Sequence, residues 1–151
     1  MADHTEWQKG DYTISTDPDR LDREVILDYL ATSYWAHWVD REKVALSLEH
    51  CMPFGLYDGT GAQVGFAKVV TDYARFAWLG DVFILEAHRG HGLGVWLNET
   101  IKGHAPLVGI NRWVLATRDA HGLYEKLGYE VLPNPEKWMV WDIREQAPQD
   151  D

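Results

Sequence analysis

Residues 81–101 hold the feature that most limits what this chain can become. An apolar run, Val82-Phe83-Ile84-Leu85, leads into Arg89-Gly90-His91-Gly92-Leu93-Gly94, and Leu93, Leu97 and Ile101 then recur at helical spacing. The pattern is a strand, a glycine-rich loop and a helix. Three alternating glycines let the backbone turn tightly and aim successive N–H groups into one concavity. The helix N-terminus behind them adds a positive dipole, and Arg89 adds a full charge. This predicts an anion site sized for a phosphate or pyrophosphate. The loop lacks the Gly-Lys-Ser/Thr ending of a Walker A sequence. Its G-x-G-x-G spacing, after a run of antiparallel strand candidates, also departs from the dinucleotide fingerprint G-x-G-x-x-G.

Elements on either side of the loop set the fold class. Tyr12–Ser15 reads as a strand, and Asp17-Pro18 as the cap and first position of a helix carrying Leu21, Val25, Tyr29 and Leu30. The aromatic stretch Ser33–Val39 interrupts the pattern before a second helix opens at Asp40, with Val39 and Val44 placed as a hydrophobic staple. Met52–Tyr57, Gln63–Val70 and Arg75–Leu85 are strand candidates joined by short turns, which predicts an antiparallel meander. Beyond the loop and its helix come a short strand at Trp113–Ala116, a helix over Asp119–Leu127 ending at Gly128, and two closing strands at Tyr129–Leu132 and Trp138–Ile143. The order is β-α-α-β-β-β-α-β-α-β-β, an α+β (mixed α/β) fold with about four helices. Residues 1–10 are expected to be loose, 11–144 to form one domain, and 145–151 to be a flexible acidic tail.

Composition excludes several function classes. The 151 residues are 46% hydrophobic and 25% charged, within globular norms. Twenty-four acids against fourteen Lys and Arg give a net charge of −10, which argues against nonspecific binding to nucleic acid or an anionic membrane. No apolar stretch approaches the roughly 20 residues of a membrane span, and Met1–Lys9 is no signal peptide, so a cytoplasmic location is expected. Cys51 is the single cysteine, which rules out a disulfide framework. His88 and His91 lie in the anion loop with no third ligand nearby, so no metal site is expected.

The loop resembles the motif [Q/R]-x-x-G-x-[G/A] of the GNAT superfamily of N-acetyltransferases, with Arg89, Gly92 and Gly94 at its fixed positions. Thr117–Gly128 resembles a second family segment, N-x-x-A-x-x-x-Y-x-x-x-G: Ala120, Tyr124 and Gly128 match, and Thr117 stands where Asn is usual. The likeness runs over roughly residues 11–143. It implies acetyl-CoA as cofactor and a GNAT-like fold: a mostly antiparallel central sheet with one β-α-β crossover. Strands at about 75–85 and 113–117 would splay apart around the pantetheine arm. The cofactor would meet the backbone near Phe83, Ile84 and Leu85. Its pyrophosphate would lie on Arg89, Gly90, His91, Gly92, Leu93 and Gly94, and Thr117, Ala120 and Tyr124 would form the far wall.

Making an amide from an amine and a thioester requires a neutral amine, a donor for the oxyanion and a proton for the departing thiolate. By resemblance a backbone N–H close to Ile84 is the donor and Tyr124 the acid. Strand alternation puts Asp81 on one face with Leu79 and Phe83, an apolar setting that would raise its pKa and suit a base or amine-binding group, or else a structural Asp bonded to backbone. In the family the acceptor site is shaped by the first two helices and their connection, here Tyr34, Trp35 and Trp38, which either hold the amine or close over the sheet as core aromatics. The expected acceptor is a small-molecule amine, and a homodimer is admitted. The competing readings are a non-catalytic CoA-binding sensor and a protein N-acetyltransferase. Tyr124 together with an intact loop favours the enzyme.

Overall fold

The computed structural model describes residues 3–144. Its core is a six-stranded sheet in sequential order. β1 (Glu6–Lys9) and β2 (Tyr12–Ser15) form a hairpin, β2 pairs with β3 (Met52–Tyr57), and β3, β4 (Gln63–Thr71) and β5 (Phe76–Ile84) make the antiparallel meander. α1 (Arg23–Thr32) and α2 (Arg41–Leu48) separate β2 from β3. α3 (Leu93–Gly103) is the crossover to β6 (Arg112–Val114), which pairs parallel with β5 and precedes the short α4 (His121–Lys126). The architecture is the mixed α+β sheet that the element order predicts.

Helices cover both faces of the sheet. Leu93, Leu97 and Ile101 of α3 pack with Ile14, Phe54, Leu56, Val69, Ala77 and Leu79. Ile26 and Leu30 of α1 and Val44 and Leu48 of α2 pack with Phe66 and Phe83 on the opposite face. Asp40 caps α2 and accepts from the Glu42 N–H, and Val39 and Val44 join one apolar cluster, as the staple spacing predicts. Asp17-Pro18 opens only a 3-10 turn over Pro18–Arg20. The α-helix starts later, at Arg23, where the Asp22 carboxylate accepts from the Val25 N–H. Leu21 therefore lies outside the helix.

The sequence expectations fail at both ends of the sheet. Residues 1–10, expected to be loose, contribute β1. Trp7 packs against Phe54 and meets the His104 ring edge-on, and the Thr5 N–H donates to Thr16 Oγ1. At the other end, Tyr129–Leu132 and Trp138–Ile143 form no strands. The only regular element there is a 3-10 turn at Pro135–Lys137, and β6 is an edge among the described residues. The tail at 145–151 lies outside the described residues.

Tyr57 ends β3 with its ring over Gly55, in space that a Cβ at residue 55 would fill. Its hydroxyl is buried without a hydrogen-bond partner, and burial pushes its pKa up to about 12. The unfolded chain loses this proton near pH 10, before the folded one, so stability falls as pH rises from about 10 to about 12. We expect Tyr57→Phe to leave stability unchanged or raised at pH 7, since the orphaned hydroxyl is removed. It should also flatten the alkaline loss by about 1 kcal/mol per pH unit, read from urea midpoints between pH 9 and 11.

Candidate active site

The parallel pair β5–β6 is in register only at Phe76–Trp78 opposite Arg112–Val114. β5 then runs on to Ile84 with no partner on that side. The backbone groups of its second half therefore face a gap between two diverging strands. At the mouth of this gap the chain passes through a 3-10 turn at Glu86–His88 into the glycine loop. Gly90 and Gly92 hold φ of 86° and 73°, a region that side chains other than glycine rarely adopt. Gly92 is the N-cap of α3, and no side chain caps that terminus. A Cβ at residue 90, 92 or 94 would meet nothing within 4 Å, so the concavity in front of the α3 N–H groups is open. Unpaired N–H groups at an open helix N-terminus are suited to a phosphate-sized anion.

Arg89 does more than add charge. Its Nε donates to the Ile84 carbonyl at 2.9 Å and its Nη2 to Tyr29 Oη at 2.9 Å, tying the loop to the end of β5 and to α1. His88 Nδ1 pairs with Tyr12 Oη at 2.9 Å, and His91 is exposed. The side chains of Phe83 and Leu93 are buried in the two cores, so only their backbones are left to meet a ligand. Thr117 Oγ1 accepts from the Ala120 N–H at 3.0 Å, capping the turn into α4 in the manner of an Asn side chain.

Tyr124 reaches the sheet core from α4 and crosses the Tyr129 ring at 5.6 Å. Burial raises its pKa, the neighbouring Tyr34 adds to the rise, and a hydrogen bond with Asn98 opposes it. Asn98 is buried on α3, where its Nδ2 donates to the Gly94 carbonyl. Its side chain therefore holds the first turn behind the glycine loop. The residue sequence reasoning missed here is Asn98, a polar side chain on the face of α3 that carries Leu93, Leu97 and Ile101.

On the other face the structure corrects the reading of Asp81. Phe66 pairs with Phe83 but Lys68 with Gly80, so Ala67 alone stands opposite Asp81 and Val82. This β-bulge, with Asp81 at φ 51°, shifts the alternation by one residue. Leu79 consequently belongs to the α3 core and Phe83 to the α1–α2 core, on opposite faces. Asp81 does not sit in an apolar setting. Its Oδ2 lies 2.8 Å from Lys68 Nζ, its Oδ1 accepts from Trp35 Nε1 at 2.9 Å, and the ion-paired side chains are only 14% and 15% exposed. Lys68, which the sequence reading did not single out, also reaches Ser47 Oγ on α2. Tyr34 joins the two sides of the cleft: its hydroxyl accepts from the Arg118 N–H at 3.0 Å, and the Arg118 guanidinium lies over its ring. Trp38 instead meets the C-terminal segment, with Arg144 over its ring at 4.1 Å. The Cys51 thiol, pushed up to about 11 by burial, is no nucleophile at neutral pH.

The profile of the Acetyltransferase (GNAT) family matches residues 3–129. The chain belongs to the GNAT acetyltransferase family. It is similar to an acetyltransferase-type protein of Gibberella zeae, at 34% identity covering 80% of this chain and 79% of that one. It is also similar to the crystal structure of a GNAT-family protein from Xanthomonas campestris pv. campestris. There the identity is 38%, the TM-score 0.83, and coverage 87% of this chain and 93% of the other. The glucosamine-6-phosphate N-acetyltransferase of Arabidopsis thaliana shares the fold alone, with a TM-score of 0.60 at 18% identity over 88% and 99% of the two chains. GNAT membership makes the protein an acyltransferase of a family that uses acetyl-CoA.

Proposed function

We propose that this GNAT enzyme binds acetyl-CoA in the β5–β6 splay and moves its acetyl group to a primary amine of a small molecule by direct attack on the thioester. The observation that supports this reading is the open cradle at Gly90–Gly94 directly after the second half of β5, which has no strand partner toward β6, with Tyr124 on the helix that follows β6. Acetyl-CoA supplies an acyl group activated as a thioester. The loop N–H groups and the α3 terminus hold its pyrophosphate. A β5 backbone N–H near Ile84 donates to the acyl oxygen as negative charge grows there. Tyr124, protonated at neutral pH because burial raises its pKa, gives its proton to the departing thiolate.

The acceptor approaches from the α1–α2 side, where Tyr34, Trp35 and Asp81 lie together. Asp81, held by Lys68 and Trp35, binds the ammonium form, accepts one proton from it for release to solvent and orients the neutral amine; the second proton lost from nitrogen as the amide forms restores the one that Tyr124 gives to the thiolate. Asp81→Asn is expected to lower kcat/KM for the acceptor about tenfold or more and to leave the acetyl-CoA dissociation constant nearly unchanged. Equal losses in cofactor affinity and fold stability would reduce Asp81 to a structural role. Thiol release from acetyl-CoA across a panel of primary amines tests the function. Turnover with at least one small amine is expected. Tight acetyl-CoA binding without turnover on any amine would identify a sensor, and turnover on peptide amines alone would redirect the reading to protein acetylation.

A further inference from the structure

Lys68 and Asp81 meet on the face of the sheet that α1 and α2 partly cover, where Lys68 also reaches Ser47 of α2. β4 carries Phe66, Lys68 and Val70 on this face, and β5 carries Trp78 and Phe76, with Val70 opposite Trp78 and Lys68 opposite Gly80. The helices bury Phe66 but leave the far half of these strands open: Val70, Trp78 and Phe76 are 44%, 37% and 38% exposed. Gly80 sets where the Trp78 ring lies. A Cβ on residue 80 would stand 2.8 Å from Trp78 Nε1 and 3.2 Å from its Cδ1, so the indole fills the space that a side chain there would need. The ring therefore lies along β5 over Gly80, one residue from Asp81, and consecutive Cα atoms are about 3.8 Å apart. Trp35, from the α1–α2 connection, reaches the same carboxylate through its Nε1. An acid, an open indole and an exposed valine thus stand in sequence on one surface.

We propose that Trp78 and Val70 form the subsite for the acceptor's tail, and that the acceptor is a primary amine carrying an apolar aromatic ring on a short arm. The amine end rests on the acetyl transfer proposed above; the apolar row beside it does not. Lys68 and Trp35 occupy one lone pair on each Asp81 oxygen, and the remaining pairs are free to accept from an ammonium. From there a two-carbon arm is long enough to bring a ring onto the indole over Gly80. A flat ring against Trp78 gains offset or edge-to-face contact beyond the area that it buries. A polar tail gains less. Val70 and Phe76 offer no partner to the second amine of a diamine or the hydroxyls of an amino sugar, and Trp78 offers only its indole N–H. The cations on this face are engaged: Lys68 by Asp81 and Ser47, and Arg112, opposite Phe76, by the Trp138 ring.

Phenethylamine, propylamine and putrescine, each assayed with acetyl-CoA, test the subsite in the full chain. The wild type is expected to show kcat/KM for phenethylamine at least about thirtyfold above propylamine and above putrescine. In Trp78→Ala the ratio of phenethylamine to propylamine should fall below about threefold, with acetyl-CoA affinity unchanged. Gly80→Ala is the second variant, for the case in which Trp78→Ala does not fold: the new Cβ displaces the indole, and the same ratio should drop at least about threefold. Equal kcat/KM for the three amines in the wild type would overturn the proposal, as would a putrescine preference or a phenethylamine preference that survives both substitutions. Titration of phenethylamine into the CoA-loaded protein, followed by ligand NMR, separates this proposal from the function reading. If no amine is acetylated but phenethylamine binds saturably, and at least about tenfold more weakly to whichever variant folds, acetyl transfer fails and the subsite stands. If propylamine is acetylated but phenethylamine neither binds nor reacts better, the subsite fails and acetyl transfer stands. Neither turnover nor saturable binding would overturn both.

Discussion

Tyr124→Phe is expected to lower kcat by at least about tenfold, with the fold intact and acetyl-CoA affinity near normal. The substitution deletes one hydroxyl and keeps the ring that packs against the sheet core and Tyr129. General acid assistance is typically worth about 10²–10⁴-fold, and a thiolate leaving group with a pKa near 8.5 needs only part of it. The sign of the pH dependence follows from the same environment. Burial raises the Tyr124 pKa above its ordinary value of about 10, so the acid form persists through pH 6–9 and any alkaline limb from this group lies above that range. Wild-type kcat for Tyr124→Phe across pH 6–9, in an assay where chemistry limits the rate, would reduce Tyr124 to a packing residue. The site would then bind cofactor by the same cradle but deliver the proton from elsewhere.

Gly92→Val should remove measurable acetyl-CoA binding. Residue 92 sits at φ 73° and caps α3, a conformation in which a β-branched side chain is strained. A Cβ there meets no protein atom within 4 Å, so the fold is not opposed by a clash; the new side chain enters the open space in front of α3, where the proposed function puts the phosphates. Far-ultraviolet dichroism is expected to be unchanged while the KM for acetyl-CoA rises at least about a hundredfold. Arg89→Ala should weaken binding less, about tenfold, because the backbone donors remain. Part of that loss would come from releasing the loop from Ile84 and Tyr29. A Gly92→Val protein with wild-type affinity would remove the loop from the cofactor site.

What the sequence made legible follows physical lines. The strand Met52–Tyr57, the cap at Asp40 and the apolar stripe of α3 depend on local pattern and chemistry, and each has its predicted place. β1 escaped because Glu-Trp-Gln-Lys has one apolar residue, and Trp7 gains its partners, Phe54 and His104, only when distant segments fold together. The setting of Asp81 was misread because alternation assumes an unbroken ladder, and one inserted residue opposite Ala67 reverses the faces beyond it. A signal was nonetheless present: Lys68 interrupts the apolar run Val64–Val70, and a cation there requires an acid across the sheet. Asn98 gave the same kind of signal on α3. The closing strands rest on apolar composition alone, which says that a segment favours burial but not that a strand lies beside it to pair with.

Calorimetric titration of acetyl-CoA into three proteins, the wild type, Gly92→Val and Tyr124→Phe, tests the cleft assignment most directly. One saturable site per chain is predicted in the wild type, the same affinity in Tyr124→Phe, and no measurable heat of binding in Gly92→Val. Absence of binding to the wild type, or equal binding by all three proteins, would contradict the placement of acetyl-CoA between β5 and β6 on the glycine loop.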